Sequence, residues 1–168
     1  AGVAEKPRER QNQEVELKAY LLNDFGSAPL YLLEPVAEEH KWITRRLYAG
    51  AGTARVAQEL VLGVGGMRLL RALEHEVDLY HFNEGHALFA GFELIREKMA
   101  EGKSFEESRL ACRDSIIFTT HTPVKAGNET HSVDLLLQVG AGLGVITRDD
   151  LIGLAGVPFQ MTVGALRL

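Results

Sequence analysis

The stretch Val77-Asp78-Leu79-Tyr80-His81-Phe82-Asn83-Glu84-Gly85-His86 decides how the rest of the chain is read. Residues 77–82 read as a short buried strand, and Asn83-Glu84-Gly85 supplies the turn-forming chemistry of its exit. Residues 87–100 follow, with Leu88, Phe92, Ile95 and Met99 spaced by three and four, the period of a helix. Ser104-Phe105-Glu106-Glu107 has capping-box spacing and opens a second helix that runs to about Asp114. Ser115-Ile116-Ile117-Phe118 is a second short apolar strand, leading into Thr119-Thr120-His121-Thr122-Pro123. Strand, helix, helix, strand implies a right-handed crossover and parallel pairing of the two strands. The expected fold is α/β, a parallel sheet flanked by helices.

Outward from this unit the patterns change. Residues 1–14 are charged, carry little to bury, and read as a surface arm; residues 15–168 read as the folded part. Val15, Leu17, Ala19 and Leu21 alternate with Glu16, Lys18 and Tyr20, the period of a strand with one wet face. A turn-rich segment at 23–27 precedes Leu30-Tyr31-Leu32-Leu33, the return strand of a hairpin that Pro35 ends. A helix capped by Thr53 carries Val56, Leu60 and either Val61 or Leu62 on one face. Gly63-Val64-Gly65-Gly66 interrupts it, letting another backbone come close, before Met67, Leu69, Leu70 and Leu73 resume the helical spacing. Toward the C-terminus Leu135-Leu136-Leu137, Leu143 and residues 151–154 read as helical with glycine breaks. The apolar run at 165–168 has no polar cap, as expected of a truncated segment.

Composition narrows the function classes. The chain has 168 residues, 46% hydrophobic and 24% charged, enough to bury a core and too apolar for wholesale disorder. Its net charge of −5 gives no electrostatic reason to expect nucleic acid or an anionic membrane as partner. The longest nearly apolar run, near residues 60–67, is far short of the roughly 20 residues of a spanning helix. A single cysteine, Cys112, permits no internal disulfide, and the charged N-terminus does not read as a secretory signal; a cytoplasmic protein is expected.

In open parallel sheets, ligands bind at the carboxyl ends of the strands. Two loops leave that edge: one carries Asn83, Glu84 and His86, the other Thr120, His121 and Thr122. Their hydroxyl, amide, carboxylate and imidazole groups suit a polyhydroxylated ligand such as a sugar; the alternative is a set of capping and turn residues with no ligand. A metal set of His81, Glu84 and His86 is disfavoured, because period-2 alternation turns His81 away from the loop and no helical His-Glu-x-x-His pair exists. The glycines at 63, 65 and 66 fail the dinucleotide fingerprint, since position 68 is Arg68 and no strand precedes them. Cys112 reads as a small core residue, and Trp42 as a packing residue or, less simply, a sugar-stacking one.

Tyr80-His81-Phe82-Asn83-Glu84-Gly85-His86-Ala87 resembles the Asn-Glu-Gly-His segment of bacterial and archaeal α-glucan phosphorylases. Residues 117–128, Ile-Phe-Thr-Thr-His-Thr-Pro-Val-Lys-Ala-Gly-Asn, are similar to that family's Phe-Thr-Thr-His-Thr-Pro-Val-x-Ala-Gly-His segment. The similarity continues through residues 31–33, 46–50, 58–66 and 161–168, in order, over nearly everything after residue 15. The resemblance implies part of a Rossmann-like N-terminal domain of a two-domain GT-B-type glycosyltransferase fold. It implies phosphorolysis of α-1,4-glucan or maltooligosaccharide by inorganic phosphate to glucose 1-phosphate, in an enzyme that can be a homo-oligomer. By the same resemblance His121 is the candidate catalytic residue beside the transferred sugar, flanked by Thr120 and Thr122. Asn83, Glu84 and His86 line the glucan channel, and Tyr48 sits in a gate loop at 48–52. Asn128 stands where the family often has histidine. The family's cofactor is pyridoxal phosphate, bound to a lysine segment that this chain does not match, so the chain alone is expected to be inactive. A nucleotide-sugar glycosyltransferase domain and a non-catalytic glucan-binding module are the rival readings.

Overall fold

The structure, a computed structural model, describes residues 14–24, 28–47, 50–122 and 128–168. Residues 1–13 of the expected arm, Tyr48 of the expected gate loop and Pro123 lie outside the described residues. Strands β1 (Leu17–Leu22) and β2 (Leu30–Pro35) form the expected antiparallel hairpin, Leu17 opposite Pro35 and Leu22 opposite Leu30. The expected single wet face is not what forms. Ala19 and Leu21 are as open to solvent as Lys18 and Tyr20, and the hairpin meets the rest of the fold through Leu17 and Leu33, which close on Gly65, and through Tyr31, whose hydroxyl lies 3.0 Å from His75 Nε2. A 3-10 turn at Glu38–Ile43 follows, with Trp42 nearly half exposed rather than packed in the core.

Helix α1 (Thr53–Leu60) begins at the residue expected to cap it: Gly52, with φ of 60°, stands at the cap position and Thr53 is already helical. The glycines after it do not interrupt the helix. Val61–Gly65 continues it as a π-helical turn into α2 (Gly66–Ala72). The expected close approach is real, and Gly63 is where it happens. A Cβ there would lie 2.5 Å from the Ala90 amide nitrogen and 2.7 Å from the Phe89 carbonyl carbon. The wide turn and the missing side chain together let this backbone lie against a second one.

That second backbone is α3 (Leu88–Ala100), reached through strand β3 (Tyr80–Asn83) and a 3-10 turn at Gly85–Ala87. The spacing of Leu88, Phe92 and Ile95 predicts one buried stripe; in the fold Phe89, Ala90, Gly91, Glu93 and Leu94 are buried as well. Two turns buried on all sides make this end of α3 the centre of a core, while residues 96–100 run out toward solvent. Phe92 packs edge-on against Phe89 at 5.3 Å and against Phe159 at 6.2 Å between ring centroids. Each such buried phenylalanine contributes roughly 1.5 to 3 kcal/mol.

Helix α4 (Phe105–Arg113) starts on the expected capping box: the Glu107 amide donates to Ser104 Oγ, and the Ser104 amide donates to the Glu107 carboxylate. Ser104→Ala should therefore cost about 1 kcal/mol, read as a lower denaturant midpoint with an unchanged slope. Cys112 is buried on this helix, and burial pushes its thiol pKa up, as befits an unreactive core residue. Strand β4 (Ile116–Thr119) then pairs with β3 in parallel, Tyr80 opposite Ile116 and Asn83 opposite Thr119. Only this sheet is parallel among the described residues. The remaining sheet pairs β5 (Thr130–His131) with β6 (Phe159–Gln160) antiparallel, two short strands without a periodic signature in the sequence. Helices α5 (Val133–Gln138), α6 (Arg148–Ala155) and α7 (Met161–Arg167) complete a mixed α/β fold with small sheets, while Leu143 sits in a turn with φ of 52° rather than in a helix. Among the described residues no helix is long and apolar enough to cross a membrane.

Candidate functional site

The ladder between β3 and β4 ends at Asn83 and Thr119, and the last backbone bond beyond it runs from the Glu84 amide to the Thr119 carbonyl at 2.8 Å. From there the two chains are joined by a side chain. Glu84 Oε1 accepts from the His121 amide at 2.5 Å and from Thr122 Oγ1 at 3.1 Å, while Oε2 accepts from Thr120 Oγ1 at 3.1 Å. One carboxylate thus clasps three consecutive residues of the other loop. The His121 amide, with help from the two hydroxyls, holds the Glu84 pKa below the usual carboxylate range, so the group is anionic near neutrality.

The backbone at this point is strained. Glu84 has φ of 66° and ψ of 171°, a region that is essentially glycine's own. The sequence suggests Gly85 as the residue that permits the tight turn, but the unusual torsion falls on Glu84. Gly85 serves close packing instead, since a Cβ there would meet Met161 Cβ at 3.0 Å and the Thr162 amide nitrogen at 3.3 Å.

The other sequence candidates divide. Asn83 is exposed at the last position of β3. His81 points away from buried Phe82, as alternation predicts, and its Nε2 lies 2.7 Å from Thr119 Oγ1. His86 does not join the clasp. Its Nδ1 lies 2.7 Å from Arg55 Nη2 and 3.4 Å from both Glu59 Oε1 and Glu129 Oε2. His81, Glu84 and His86 therefore form no ligand set. Asn128 accepts from Thr162 Oγ1 at 2.8 Å, which ties the far end of the His121 loop to the start of α7.

The Arg55, Glu59, Glu129 and His131 group around His86 was not legible as a site in the sequence. A signal was present: Arg55, Glu59 and Gly63 form one i, i+4 row, and a row ending in a glycine that admits a neighbouring backbone faces inward.

No protein-family model matches the chain. It is 37% identical over 163 residues, 94% of its length, to an uncharacterized protein of Methanocaldococcus jannaschii. It is 36% identical over 160 residues, 91% of its length, to the maltodextrin phosphorylase of Thermococcus litoralis. It is 37% identical over 121 residues, 66% of its length, to the glycogen phosphorylase of Mycobacterium tuberculosis. The chain spans 29%, 19% and 14% of these relatives, respectively. At moderate identity over most of its residues, the chain is a homologue of the glycogen and maltodextrin phosphorylase family.

Proposed function

We propose that this chain supplies glucan- and glucosyl-facing groups of an α-glucan phosphorylase, which transfers a glucosyl unit from an α-1,4-glucan to inorganic phosphate. The observation that carries the reading is the clasp of Glu84 on Thr120, His121 and Thr122 at the carboxyl ends of a parallel strand pair. In this reading residues 15–168 belong to a Rossmann-like N-terminal domain of a GT-B-type enzyme. His121 stands against the transferred sugar, Thr120 and Thr122 flank it, Asn83 and His86 face the glucan, and Tyr48 belongs to a gate.

The chemistry of Glu84 narrows its role. Ionised, it cannot donate a proton to a leaving oxygen, so it is no general acid. A carboxylate has about four acceptor positions; the His121 loop uses three, which leaves room for a single sugar hydroxyl. Its principal work is positioning His121, and its negative charge favours an oxocarbenium-like glucosyl centre nearby.

Pyridoxal phosphate, where such enzymes bind it, supplies a phosphate that exchanges a proton with inorganic phosphate. The described lysines do not fit its attachment. Lys18, Lys41, Lys98 and Lys103 are surface groups ion-paired to Glu34, Glu38 and Glu101. Tyr20 and then Glu34 raise the pKa of Lys18, Glu38 raises that of Lys41 and Glu101 that of Lys98, the reverse of what a Schiff-base amine needs. The 168-residue chain alone should release no glucose 1-phosphate from maltoheptaose and phosphate.

The test of the site is protection. In the intact protein, maltoheptaose should slow the reaction of His121 with diethyl pyrocarbonate, read by peptide mass spectrometry, while exposed His75 reacts at an unchanged rate. Equal rates at His121 with and without the sugar would overturn the reading.

A further inference from the structure

Five polar side chains converge around His86 from three parts of the fold. Arg55 and Glu59 come from α1, His86 from the 3-10 turn after β3, Glu129 from the residue before β5, and His131 from β5 itself. The group is buried at one side and open at the other: the side chains of Arg55, Glu59 and His131 are 8%, 2% and 6% exposed, those of His86 and Glu129 27% and 29%. Arg55 Nε lies 2.7 Å from Glu129 Oε1 and 3.4 Å from Glu59 Oε1, and its Nη2 holds His86 Nδ1. His131 Nε2 stands 3.5 Å from Glu59 Oε2.

Counting charge exposes a deficit. Two carboxylates face one guanidinium, and Glu59, Glu129 and His86 offer atoms all within 4.8 Å of one another. Glu59 Oε2, Glu129 Oε2 and His131 Nε2 are buried with no hydrogen-bond partner when both carboxyls are treated as acceptors. Buried acceptors facing acceptors are costly, and two like charges at this range do not both ionise. Among the described residues His86 and His131 are the other groups that can carry a proton here, and a proton held by the carboxyl pair itself relieves the crowding directly. A divalent ion is the poorer answer, because Arg55 already occupies the cation's place against Glu129 and His86. A proton on one carboxyl turns an orphan acceptor into a donor for the other.

We propose that Glu59 and Glu129 hold one proton between them and that this protonated pair, acting through Arg55, fixes the position of His86. The electrostatics agree. Burial drives the Glu59 carboxyl above the usual range, only partly offset by His131, and Glu129 adds to the rise. Burial alone would raise Glu129 too, yet the hydrogen bond from Glu59 and the Arg55 guanidinium outweigh it and hold Glu129 below that range. The two environments are pushed apart, as in a carboxyl pair sharing a proton. When the proton leaves at higher pH, Glu59 competes for Arg55 and draws it from His86. Glu59 is thus a positioning residue, and the inference stands whether or not His86 meets a glucan.

Difference infrared spectra of the intact protein test it, taken just above the usual carboxylate range. The wild type should show a protonated-carboxyl stretch that both Glu59→Gln and Glu129→Gln abolish. Buried Glu93, ion-paired to Arg68 and Arg96, should give no such band. The Arg55 Nε–H resonance should shift with the loss of the shared proton in the wild type and not in Glu59→Gln, which leaves it near its wild-type low-pH position, whereas Glu59→Ala displaces it at every pH. A wild type without the protonated band, or either variant retaining it, overturns the proposal. Should Glu59→Gln fail to fold, the wild-type band and Glu129→Gln still decide.

Discussion

Gly63→Ala is expected to destabilise the fold by roughly 2 to 3 kcal/mol, the cost of forcing extra volume into a packed interior. Helix propensity predicts the opposite sign, because alanine in a helical segment is favoured over glycine by about 1 kcal/mol. Packing wins because the obstacle is backbone. The new Cβ would sit 2.5 Å from the Ala90 amide nitrogen and 2.7 Å from the Phe89 carbonyl carbon, and neither can swing aside as the end of a side chain can. Relief requires parting the π-helical turn from α3, whose first two turns are the middle of the core. Gly66→Ala is the control. Nothing lies within 4 Å of a Cβ there, so it should gain about 0.5 to 1 kcal/mol from propensity alone. Denaturant unfolding of the two variants measures both; equal effects at 63 and 66 would refute the close approach.

The second large effect is on turnover. On the proposed function, Glu84→Ala in the intact protein should lower kcat/KM for phosphorolysis about 100-fold, the loss typical when a reacting group is displaced by about an ångström. The alanine variant keeps the strained backbone and loses all three bonds to residues 120–122. Glu84→Gly separates the two components. Glycine adopts φ of 66° without penalty, so that variant should be more stable than the alanine one and equally inactive. Recovery of activity in the glycine variant would show that backbone geometry, not the carboxylate, matters. The pH dependence has a definite sign. Because the folded pKa of Glu84 lies below its ordinary value of 4.5, its contribution is fully present above that value and is lost as pH falls through the lowered one. The His121 amide proton shift, followed by NMR, should therefore titrate on the acid side of 4.5 in the wild type and not in either variant.

Much of this arrangement is legible in the sequence because it depends on local chemistry. The capping box at Ser104, the period of Leu88, Phe92 and Ile95, and the two apolar runs ending in polar loops each state their own structure, and together they bring Glu84 beside His121. What the sequence conceals depends on partners far along the chain. Thr53 has the chemistry of a cap, yet Gly52 takes the position because its φ of 60° turns the chain sharply into α1. Arg55 and Glu59 look like a solvated i, i+4 ion pair; they are buried because Glu129 and His131 return to meet them. Strands of two residues, β5 and β6, are too short to carry a period.

The way the parallel ladder ends bears on access. Among the described residues, backbone pairing between the two segments stops at Glu84, and residues 120–122 beyond it are fastened by the Glu84 carboxylate. A fastening of that kind unbuttons without unzipping the strands behind it, so residues 120–122 can swing outward while α3 and its phenylalanines stay in register. Entry and exit of a bulky molecule would then draw on a local opening of low free energy, far below that of melting the whole domain.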